Sequence, residues 1–370
     1  MPTASSSRPD KDGNDRLSVS RTVDGRADPA LAAERWAERR SFHHSLYPAA
    51  RIAAERTERN LGVSVCLPAR ECAATVGEIV EVLMRMREAG VIDQVVVVDA
   101  DSADGTATVA ERAGAVVCQQ DELMPAYGAV LGKGDAMWRA LSVLEGELVC
   151  FVDADTEGFG AHFVTGLIGP LVCEPGVSFV KAFYRRPFPA AAAESQISDA
   201  TAGHGAFGAE GGGRVNHLLA RPALELFYPA LAQVRQPLAG EVAARRELLE
   251  RLPFATGYGV EIAMLIDAWK DLGLDGIAQV DLEEHRNHHQ PLSALAPMAL
   301  TVLATIARRL EREGRLVEAG PATPPGYAGA RGHAPLERPP LASLTATAGA
   351  PGSVAGHCAN GGRTAQGGIA

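Results

Sequence analysis

Two aspartates directly follow an apolar run near the middle of the chain. The run covers residues 148–152, and Asp153 and Asp155 follow it with one residue between them. The run predicts a buried strand, and because side chains alternate along a strand, both carboxylates would lie on one side of its end. Carboxylates there attract a hard divalent cation, and such a cation attracts a diphosphate. The spacing therefore predicts a site for a metal ion and a diphosphate, with a solvated loop as the alternative.

A lysine between two glycines is a second candidate. Lys133 lies at the predicted start of a helix, where glycine lets the backbone approach a ligand and the helix N-terminus favours a phosphate. The segment is not a Walker A motif, because the upstream Gly and the Ser or Thr after Lys are absent. It predicts either a phosphate contact or an ordinary loop.

Two further aspartates follow the predicted strand at residues 93–98. Asp99 or Asp101 could accept a hydrogen bond from a uracil imide or a ribose hydroxyl. The same stretch also fits a turn followed by a helix cap. Both interpretations remain open from the residues alone.

The second half of the chain carries an anion-binding pattern. Three glycines at 211–213 precede Arg214, and apolar residues at helical spacing follow at 218–226. Glycines and an arginine at a helix N-terminus suit a phosphate or a carboxylate, because the guanidinium group can donate two parallel hydrogen bonds. The alternative is a flexible hinge.

Two more groups could complete such a site. Glu261 opens a predicted helix, where it could also do no more than complement the helix dipole. Three histidines, His285, His288 and His289, follow a predicted strand at 277–282. A neutral imidazole from this group could bind the cation, and a solvated polar loop is the alternative.

The elements that would position these groups alternate between strands and helices. Predicted strands lie at 63–67, 93–98, 115–118 and 148–152, and predicted helices lie at 73–89, 106–113 and 134–144. This alternation predicts an α/β fold, with a mostly parallel sheet flanked by helices. Right-handed crossovers place the carboxyl ends of the parallel strands at one edge, which is where ligands bind in such folds.

The two ends of the chain differ in composition from the middle. Residues 1–28 are polar and residues 316–370 are rich in Pro, Gly and Ala, so we expect two disordered tails. Between them we expect an N-terminal helical segment at 29–60. The folded halves would then be 61–158, with the strand-end aspartates, and 159–315, with the glycine-arginine pattern and C-terminal helices.

Bulk composition excludes some classes of protein. The chain has 370 residues and a net charge of −10, whereas a nucleic-acid-binding protein would carry a basic face. The N-terminus lacks the apolar stretch of a signal peptide, and the most apolar segment, residues 291–307, is too short and too polar to span a bilayer. The six cysteines lack zinc-knuckle spacing. We therefore predict a cytoplasmic protein with no nucleic-acid or membrane partner.

Several sequence blocks occur in an order that resembles one family. They are LGKGDAMWR, FVDAD, VKAFYRRP, GGGRV, QPLAGE, RELLERLPFATGYGVEI and IAQVDL, and they cover most of residues 60–295. The chain resembles the glucosyl-3-phosphoglycerate synthases, which are retaining glycosyltransferases with a GT-A (Rossmann-like) fold, related to mannosyl-3-phosphoglycerate synthases. The longest blocks are far more specific than the aspartate pair alone.

The resemblance implies a reaction. Glucose would move from UDP-glucose to the 2-hydroxyl of 3-phosphoglycerate with retention of configuration, and Mg²⁺ or Mn²⁺ would be the cofactor. Residues 61–158 would bind the nucleotide sugar, residues 159–315 would bind the acceptor, and the protein would be a homodimer. The alternatives are mannose transfer from GDP-mannose and a related nucleotide-sugar enzyme, such as a nucleotidyltransferase.

The resemblance also assigns site residues. Those for the nucleotide sugar are Pro68, Ala69, Glu71, Asp101, Lys133, Asp153, Ala154, Leu238, Tyr258 and Glu261. Those for the acceptor are Gly213, Arg214, Val215 and Asn216. Asp155 would bind the metal ion. Asp155, Lys133 and Glu261 would act in catalysis, with Glu261 orienting or stabilising the sugar rather than attacking it.

Two positions depart from the family pattern. The family has Asn-Glu after Pro-Ala-x, whereas this chain has Glu71-Cys72, so the glutamate is displaced by one residue. The family also has a metal-binding His in an Arg-x-His-x-Asn stretch. Alignment without gaps places Asn287 on that His and His289 on the Asn, whereas matching the letters selects His285. We expect His289 as the ligand, with His285 as the next candidate.

Overall fold

Strands form three sheets in the part of the chain that the computed structural model describes, which is residues 22–23, 26–27, 29–187, 213–287, 290–316 and 336–347. In chain order they are β1 (Thr22–Val23), β2 (Arg26–Ala27), β3 (Ser41–His43), β4 (Val63–Ala69), β5 (Gln94–Asp99), β6 (Val116–Gln119), β7 (Leu148–Phe151), β8 (Phe179–Arg185), β9 (Val242–Arg245), β10 (Phe254–Ala255), β11 (Ile277–Glu284) and β12 (Glu337–Arg338). Strand β1 pairs with β2, and β10 pairs with β12.

The remaining eight strands form one central sheet in the order β3-β11-β8-β9-β7-β4-β5-β6. Neighbouring strands run parallel except at β9, which is antiparallel to both β8 and β7. The first residues of β9 therefore lie at the edge where the parallel strands end. A segment that precedes β9 can contribute to a site at that edge.

Helices cover both faces of this sheet. They are α1 (Pro29–Arg40), α2 (Ala49–Glu58), α3 (Val76–Glu88), α4 (Thr106–Ala113), α5 (Lys133–Ala140), α6 (Ala161–Cys173), α7 (Arg221–Phe227), α8 (Arg246–Arg251), α9 (Val260–Leu272), α10 (Leu292–Arg312) and α11 (Leu341–Thr347). A π-helical turn over Asn216–Ala220 leads directly into α7. Helix α4 ends at Gly114, whose φ of 107° is readily adopted by glycine.

The strands are apolar on both sides because each face of the sheet carries a core. Val95 and Val97 of β5 pack in the core that includes α3 and α6, whereas Val96 and Val98 pack in the core that includes α5 and α9. Successive side chains point to opposite faces, so a strand between two helical layers must be apolar at every position. This explains the unbroken apolar run that marks β5 in the sequence.

The predicted fold class is confirmed. Strands β4 to β7 and helices α3 to α5 each overlap a predicted element, and α4 has the predicted bounds. Sequence periodicity did not predict α6, β8 or β9. Helix α6 is buried along nearly its whole length, so it has no polar face that would reveal a helical period.

The C-terminal region differs from the expected disordered tail. Within 316–370, the structure describes β12 and α11, and both contact the folded body. The reason is tertiary: Arg338 pairs with the buried carboxylate of Asp135, and Trp138 donates a hydrogen bond to the carbonyl of Pro339 at 2.9 Å. Composition alone cannot reveal such distant partners.

Two further features bear on the sequence predictions. By length and composition alone α10 could cross a membrane, but its inner face packs in the domain core and Arg309 on that face is buried in ion pairs with Asp267 and Glu337. One face of α10, in its C-terminal half, therefore packs against the fold. Cys66 and Cys150 are buried free thiols.

Candidate active site

Polar side chains from five segments meet at the carboxyl edge of the central sheet. Asp153 follows β7, Glu241 directly precedes β9, and His285 directly follows β11. Lys133 begins α5, and Glu261 lies in the first turn of α9. Because β9 is antiparallel to β7, its first residues reach the same edge as the ends of the parallel strands, and the five groups converge.

A buried network holds His285 in place. Its Nε2 atom lies 2.9 Å from Oε1 of Glu241 and 3.1 Å from Oγ1 of Thr156. The second carboxylate oxygen of Glu241 accepts a hydrogen bond from the hydroxyl of Tyr184 at 2.7 Å, and the Tyr184 ring stacks on the imidazole at 4.5 Å. Asp153, Glu241 and His285 each offer one ligand atom within 4.8 Å of the others. The imidazole is therefore fixed beside two carboxylates.

Asp155 is exposed to solvent beside this network. Desolvation and the neighbouring carboxylate of Asp153 raise its pKa, while His285 and Lys133 act in the opposite direction. Because solvent reaches Asp155 and weakens the effect of burial, the charge of Asp153 is the main cause of the raised pKa. The carboxylate is thus accessible and has an excess of negative charge near it, so it would bind a cation.

The donor set fits a divalent metal ion. Nδ1 of His285 is buried and has no hydrogen-bond partner among the described residues. Carboxylates together with one imidazole suit Mn²⁺ or Mg²⁺ better than a thiolate-rich set would. A divalent charge would also relieve the repulsion between Asp153 and Asp155. His285 therefore lies in the site, whereas His289 lies outside the described residues.

Lys133 links the two sides of the site. Its Nζ atom lies 2.6 Å from Oδ1 of Asp153 and 3.1 Å from Oε1 of Glu261. Burial alone would lower the pKa of Lys133, but Asp153 and Glu261 together raise it well above its ordinary value. The lysine is therefore charged at neutral pH, and it stands beside the carboxylates where an anionic ligand would bind.

Gly240 has no room for a side chain. A Cβ atom added there would lie 2.1 Å from Oδ2 of Asp153, which is closer than any real contact. The backbone at Gly240 thus packs directly on this carboxylate, and Lys133 contacts the other oxygen of the same group. Both oxygens of Asp153 are held by the surrounding structure.

The loop after β5 serves two purposes. Asp104 accepts hydrogen bonds from the backbone N–H groups of Ala73 and Thr106, both at 2.9 Å, so it fulfils the capping role at the start of α4. Asp101 is exposed at the carboxyl edge of the sheet, with φ of 55°. Asp99 is buried, and its Oδ2 atom accepts from the backbone N–H of Ser102 at 3.0 Å, as in a turn, while its Oδ1 atom has no hydrogen-bond partner among the described residues. The turn and capping alternative therefore applies to Asp99 and Asp104, and Asp101 is the exposed carboxylate that a ligand could reach.

The displaced Glu71 is tied to this same loop. Its backbone N–H donates to Oγ of Ser102, and its Oε1 atom accepts from the backbone N–H of Ala103, both at 2.9 Å. The neighbouring Cys72 is buried, and burial raises the pKa of its thiol to about 11. Glu71 therefore connects the loops after β4 and β5, and its contact with a nucleotide stays a prediction.

Other predicted nucleotide-sugar residues lie around the same edge. Pro68 and Ala69 end β4, and Ala154 is buried between the two aspartates. Leu238 is half-buried and lies in the segment that precedes β9. Tyr258 lies just before α9, and 54% of it is exposed. A largely exposed tyrosine at a site edge is available to a ligand.

The predicted acceptor residues begin a helix. Gly213 has φ of 75°, and Nη2 of Arg214 donates to the carbonyl of Gln290 at 2.6 Å. Val215 is buried, and the side chain of buried Asn216 accepts from the backbone N–H of Leu238 at 3.4 Å. Gly211 and Gly212 lie outside the described residues. Arg214 and the helix start are therefore together, as an anion cradle requires.

Two buried charged residues, Glu241 and Lys181, are not among the predicted site residues. Glu241 is completely buried in the site, but it precedes a strand, whereas the residues predicted from local pattern follow strands or begin helices. Lys181 lies on β8, an interior strand of the sheet, and its buried amine donates to the carbonyl of Ala239. Burial lowers the pKa of Lys181 to about 8.

Comparison with known proteins places the chain in a family. No protein-family model matches it. It is 39% identical over 281 residues to the glucosyl-3-phosphoglycerate synthase of Petrotoga mobilis, an alignment that covers 75% of this chain and 82% of the relative.

Two solved structures are similar along most of the chain. The mannosyl-3-phosphoglycerate synthase of Rubrobacter xylanophilus is 42% identical with a TM-score of 0.72, covering 84% of this chain and 98% of that one. The glucosyl-3-phosphoglycerate synthase of Mycobacterium tuberculosis in complex with Mn²⁺, UDP-glucose and phosphoglyceric acid is 34% identical with a TM-score of 0.66, covering 80% and 95%. The chain has the GT-A fold and belongs to the glucosyl-3-phosphoglycerate synthase family.

Proposed function

We propose that this protein is a metal-dependent retaining glycosyltransferase that moves glucose from UDP-glucose to the 2-hydroxyl of 3-phosphoglycerate. The observation that carries the proposal is the convergence of Lys133, Asp153, Asp155 and His285 at the carboxyl edge of a GT-A sheet. Family membership supports both substrates, since the similar mycobacterial enzyme was solved with Mn²⁺, UDP-glucose and phosphoglyceric acid.

We assign the metal ion to Asp155 and His285. The accessible carboxylate of Asp155 and the unpartnered Nδ1 of His285 support this choice over His289. When bound, a divalent cation supplies positive charge for a departing diphosphate. Mg²⁺ and Mn²⁺ both suit this donor set.

The chain itself supplies a second positive charge. Lys133 is charged and lies within hydrogen-bonding distance of Asp153 and Glu261, so it would stabilise a diphosphate as its negative charge develops. Glu261 already binds Lys133, and this favours a role in orienting the lysine and the sugar over attack on the anomeric carbon. We therefore favour attack by the acceptor from the face that the diphosphate leaves, with the departing phosphate taking the proton.

The acceptor is proposed to bind at Gly213, Arg214, Val215 and Asn216. Replacing Arg214 with alanine removes a forked cation suited to phosphate or carboxylate. We expect the KM for 3-phosphoglycerate to rise about 10-fold to 100-fold, because a hydrogen bond to a charged group contributes roughly 1.5–3 kcal/mol. Steady-state kinetics with each substrate varied in turn measures this. A rise confined to the KM for UDP-glucose would show that Arg214 serves the donor instead.

The donor sugar has one specific competitor. Similarity to the Rubrobacter xylanophilus mannosyl-3-phosphoglycerate synthase is at least as strong as similarity to the glucosyl enzymes, so GDP-mannose is the second candidate. The test is a panel of UDP-glucose, GDP-glucose, UDP-mannose and GDP-mannose with 3-phosphoglycerate, with Mg²⁺, with Mn²⁺ and with chelator, read by mass spectrometry.

We expect glucosyl-3-phosphoglycerate from UDP-glucose, formed only when metal is present. Mannosyl product as the main species would select the competing donor. Release of pyrophosphate from a nucleoside triphosphate and a sugar phosphate would instead identify a nucleotidyltransferase.

We also propose that the enzyme is a cytoplasmic homodimer, which the resemblance supports. The net charge of −10 supports the absence of a nucleic-acid partner.

A further inference from the structure

The C-terminal segment 336–344, here called the strap, is joined to the segment that leads to Glu261. Within it β12 pairs with β10 in antiparallel register, with Arg338 opposite Phe254. The backbone N–H and the hydroxyl of Thr256 both donate to the carbonyl of Leu336, at 3.0 Å and 3.1 Å. The strap therefore fixes the chain that enters α9.

Arg338 in the strap also holds the loop before α5. Its Nε and Nη2 atoms each donate to one carboxylate oxygen of Asp135 at 2.7 Å, which is the forked geometry of a strong ion pair. Nη1 donates to the carbonyl of Tyr127 at 2.9 Å, and Nη2 also approaches that of Ala129 at 3.3 Å. The guanidinium group lies over the ring of Trp138. The Arg338 side chain thus contacts the loop before α5, Asp135 in the first turn of α5, and Trp138 on the buried side of the same helix.

Asp135 binds both Arg338 and the backbone next to Lys133, so it connects the strap to the start of α5. Its carboxylate is completely buried and accepts the backbone N–H of Leu131 at 2.9 Å. Burial alone would raise the pKa of Asp135, but the hydrogen bonds from Arg338, Leu131 and Arg139 lower it overall. The group is therefore charged, and a buried charge that loses one of its partners forces its surroundings to rearrange.

The two segments that the strap fastens meet at the site. The backbone N–H of Asp135 donates to the carbonyl of Thr256 at 3.2 Å. A Cβ atom on Gly134 would lie 1.8 Å from the carbonyl of Ala255, so the start of α5 packs directly on β10. This packing brings Lys133 to 3.1 Å from Glu261.

We infer that the strap is part of the donor site and that Arg338 is a positioning residue that sets the place of Lys133 for the diphosphate. The inference rests on the proposed function, because Lys133 is assigned to the nucleotide sugar there. Displacing a charged group by about 1 Å is enough to weaken a ligand contact or slow a reaction by about 10-fold to 100-fold.

The test replaces Arg338 with methionine in the full chain, which keeps an unbranched apolar side chain and removes the guanidinium fork together with its contact over Trp138. Calorimetry with UDP and Mn²⁺ is expected to show a Kd about 10-fold higher, and kcat/KM for UDP-glucose is expected to fall about 10-fold to 100-fold. The KM for 3-phosphoglycerate should not change. Arg338→Lys, which keeps the charge without the fork, should give an intermediate Kd.

Arg251→Met is the matched control, because Arg251 forms an ion pair with Asp271, with 2.7 Å between Nη2 and Oδ2, and neither residue is among the site residues. It should bind UDP as the wild type does. A merely structural role for Arg338 would reduce the amount of folded protein and so the binding stoichiometry, but not the Kd of the folded fraction. An unchanged Kd in Arg338→Met therefore overturns the inference.

A second variant covers the case in which Arg338→Met does not fold. Thr256→Val keeps the shape of the side chain and removes one hydrogen bond to the strap, and it should raise the Kd for UDP in the same direction by a smaller factor. If this folded variant binds UDP like the wild type, the strap does not position the site. Wild-type protein that binds no UDP with Mn²⁺ would contradict the proposed function instead.

Discussion

Asp155→Asn is expected to lower glucosyl transfer about 10²-fold to 10³-fold at saturating Mg²⁺ or Mn²⁺, which is the loss that accompanies removal of one electrostatic contribution at a developing charge. The substitution keeps the size and shape of the side chain and removes its charge. Asp155 is the accessible carboxylate of the site, so its loss should weaken metal binding directly. The measurement is the initial rate as a function of metal concentration.

The same variant should not be less stable than the wild type when metal is absent. Desolvation and Asp153 raise the pKa of Asp155 in the folded protein, so its charged form is disfavoured there relative to the unfolded chain. The penalty is present at neutral pH and disappears as pH falls below the ordinary aspartate pKa of 3.8. Removing the charge at pH 7 therefore removes a small unfavourable contribution, and the unfolding temperature with chelator should stay level or rise.

This pair of measurements separates chemistry from folding. Asp275→Asn, which alters an exposed carboxylate just before β11 and so at the opposite edge of the sheet, is the control and should leave activity unchanged with at most a small change in unfolding temperature. Full activity of Asp155→Asn, with an unaltered metal requirement, would remove Asp155 from the metal site. Loss of activity together with a lower unfolding temperature would indicate a structural role instead.

The sequence was informative where function follows local pattern. Asp153 and Asp155 were identifiable because they interrupt an apolar run, and Lys133 because glycines flank it at a helix start. Local spacing encodes both features, since a strand end and a helix N-terminus are defined by a few neighbouring residues. The overall α/β arrangement followed from the same alternation of elements.

The remaining site residues depend on contacts between distant parts of the chain. Glu241 reaches the site only because β9 inserts antiparallel between β8 and β7, and a four-residue apolar strand does not reveal its direction. The signal that could have found it is Gly240-Glu241 before an apolar run, where a buried charge next to a glycine implies a close partner. Arg338 was less visible still, since it follows a segment rich in proline and glycine.

The choice between histidines illustrates the same limit. An alignment without gaps places Asn287, which has no imidazole, on the family's metal-binding His, so it selects neither histidine, and His289 was the expected ligand. The structure places His285 directly after the end of β11 and against Glu241 at 2.9 Å. If His285 has the role of the family's histidine, the segment between this residue and Pro291 is two residues longer than in the family pattern, and an alignment without gaps cannot show this.

Lys133→Met is the second substitution with a large expected effect. It removes the positive charge that lies 2.6 Å from Asp153 and 3.1 Å from Glu261, and methionine keeps an unbranched side chain of similar length. We expect kcat for transfer from UDP-glucose to fall about 10²-fold to 10³-fold, because the departing diphosphate loses a preorganised cation. Saturating-substrate kinetics measures the fall in kcat, and calorimetry with UDP measures the accompanying loss of donor affinity.

The effect on stability should have the opposite sign from that of Asp155→Asn. Although burial opposes it, the attraction of Asp153 and Glu261 raises the pKa of Lys133 above its ordinary 10.5. A raised pKa means that the charged lysine stabilises the folded state at all pH values below 10.5, and that this contribution is lost only as pH rises through the folded-state pKa. At pH 7 the Lys133→Met variant should therefore unfold at a lower temperature than the wild type.

Lys270→Met provides the matched control, since Lys270 pairs with Glu313, and neither residue belongs to the catalytic cluster. It should retain full activity and lower the unfolding temperature less than Lys133→Met does, because Tyr228 and Arg315 still bind the carboxylate of Glu313. The site model requires opposite stability changes from the two catalytic substitutions: neutralising Asp155 relieves an excess of negative charge, and neutralising Lys133 increases it. If both variants lowered the unfolding temperature without metal by the same amount, the carboxylates would not form the negatively charged cluster that a divalent cation needs.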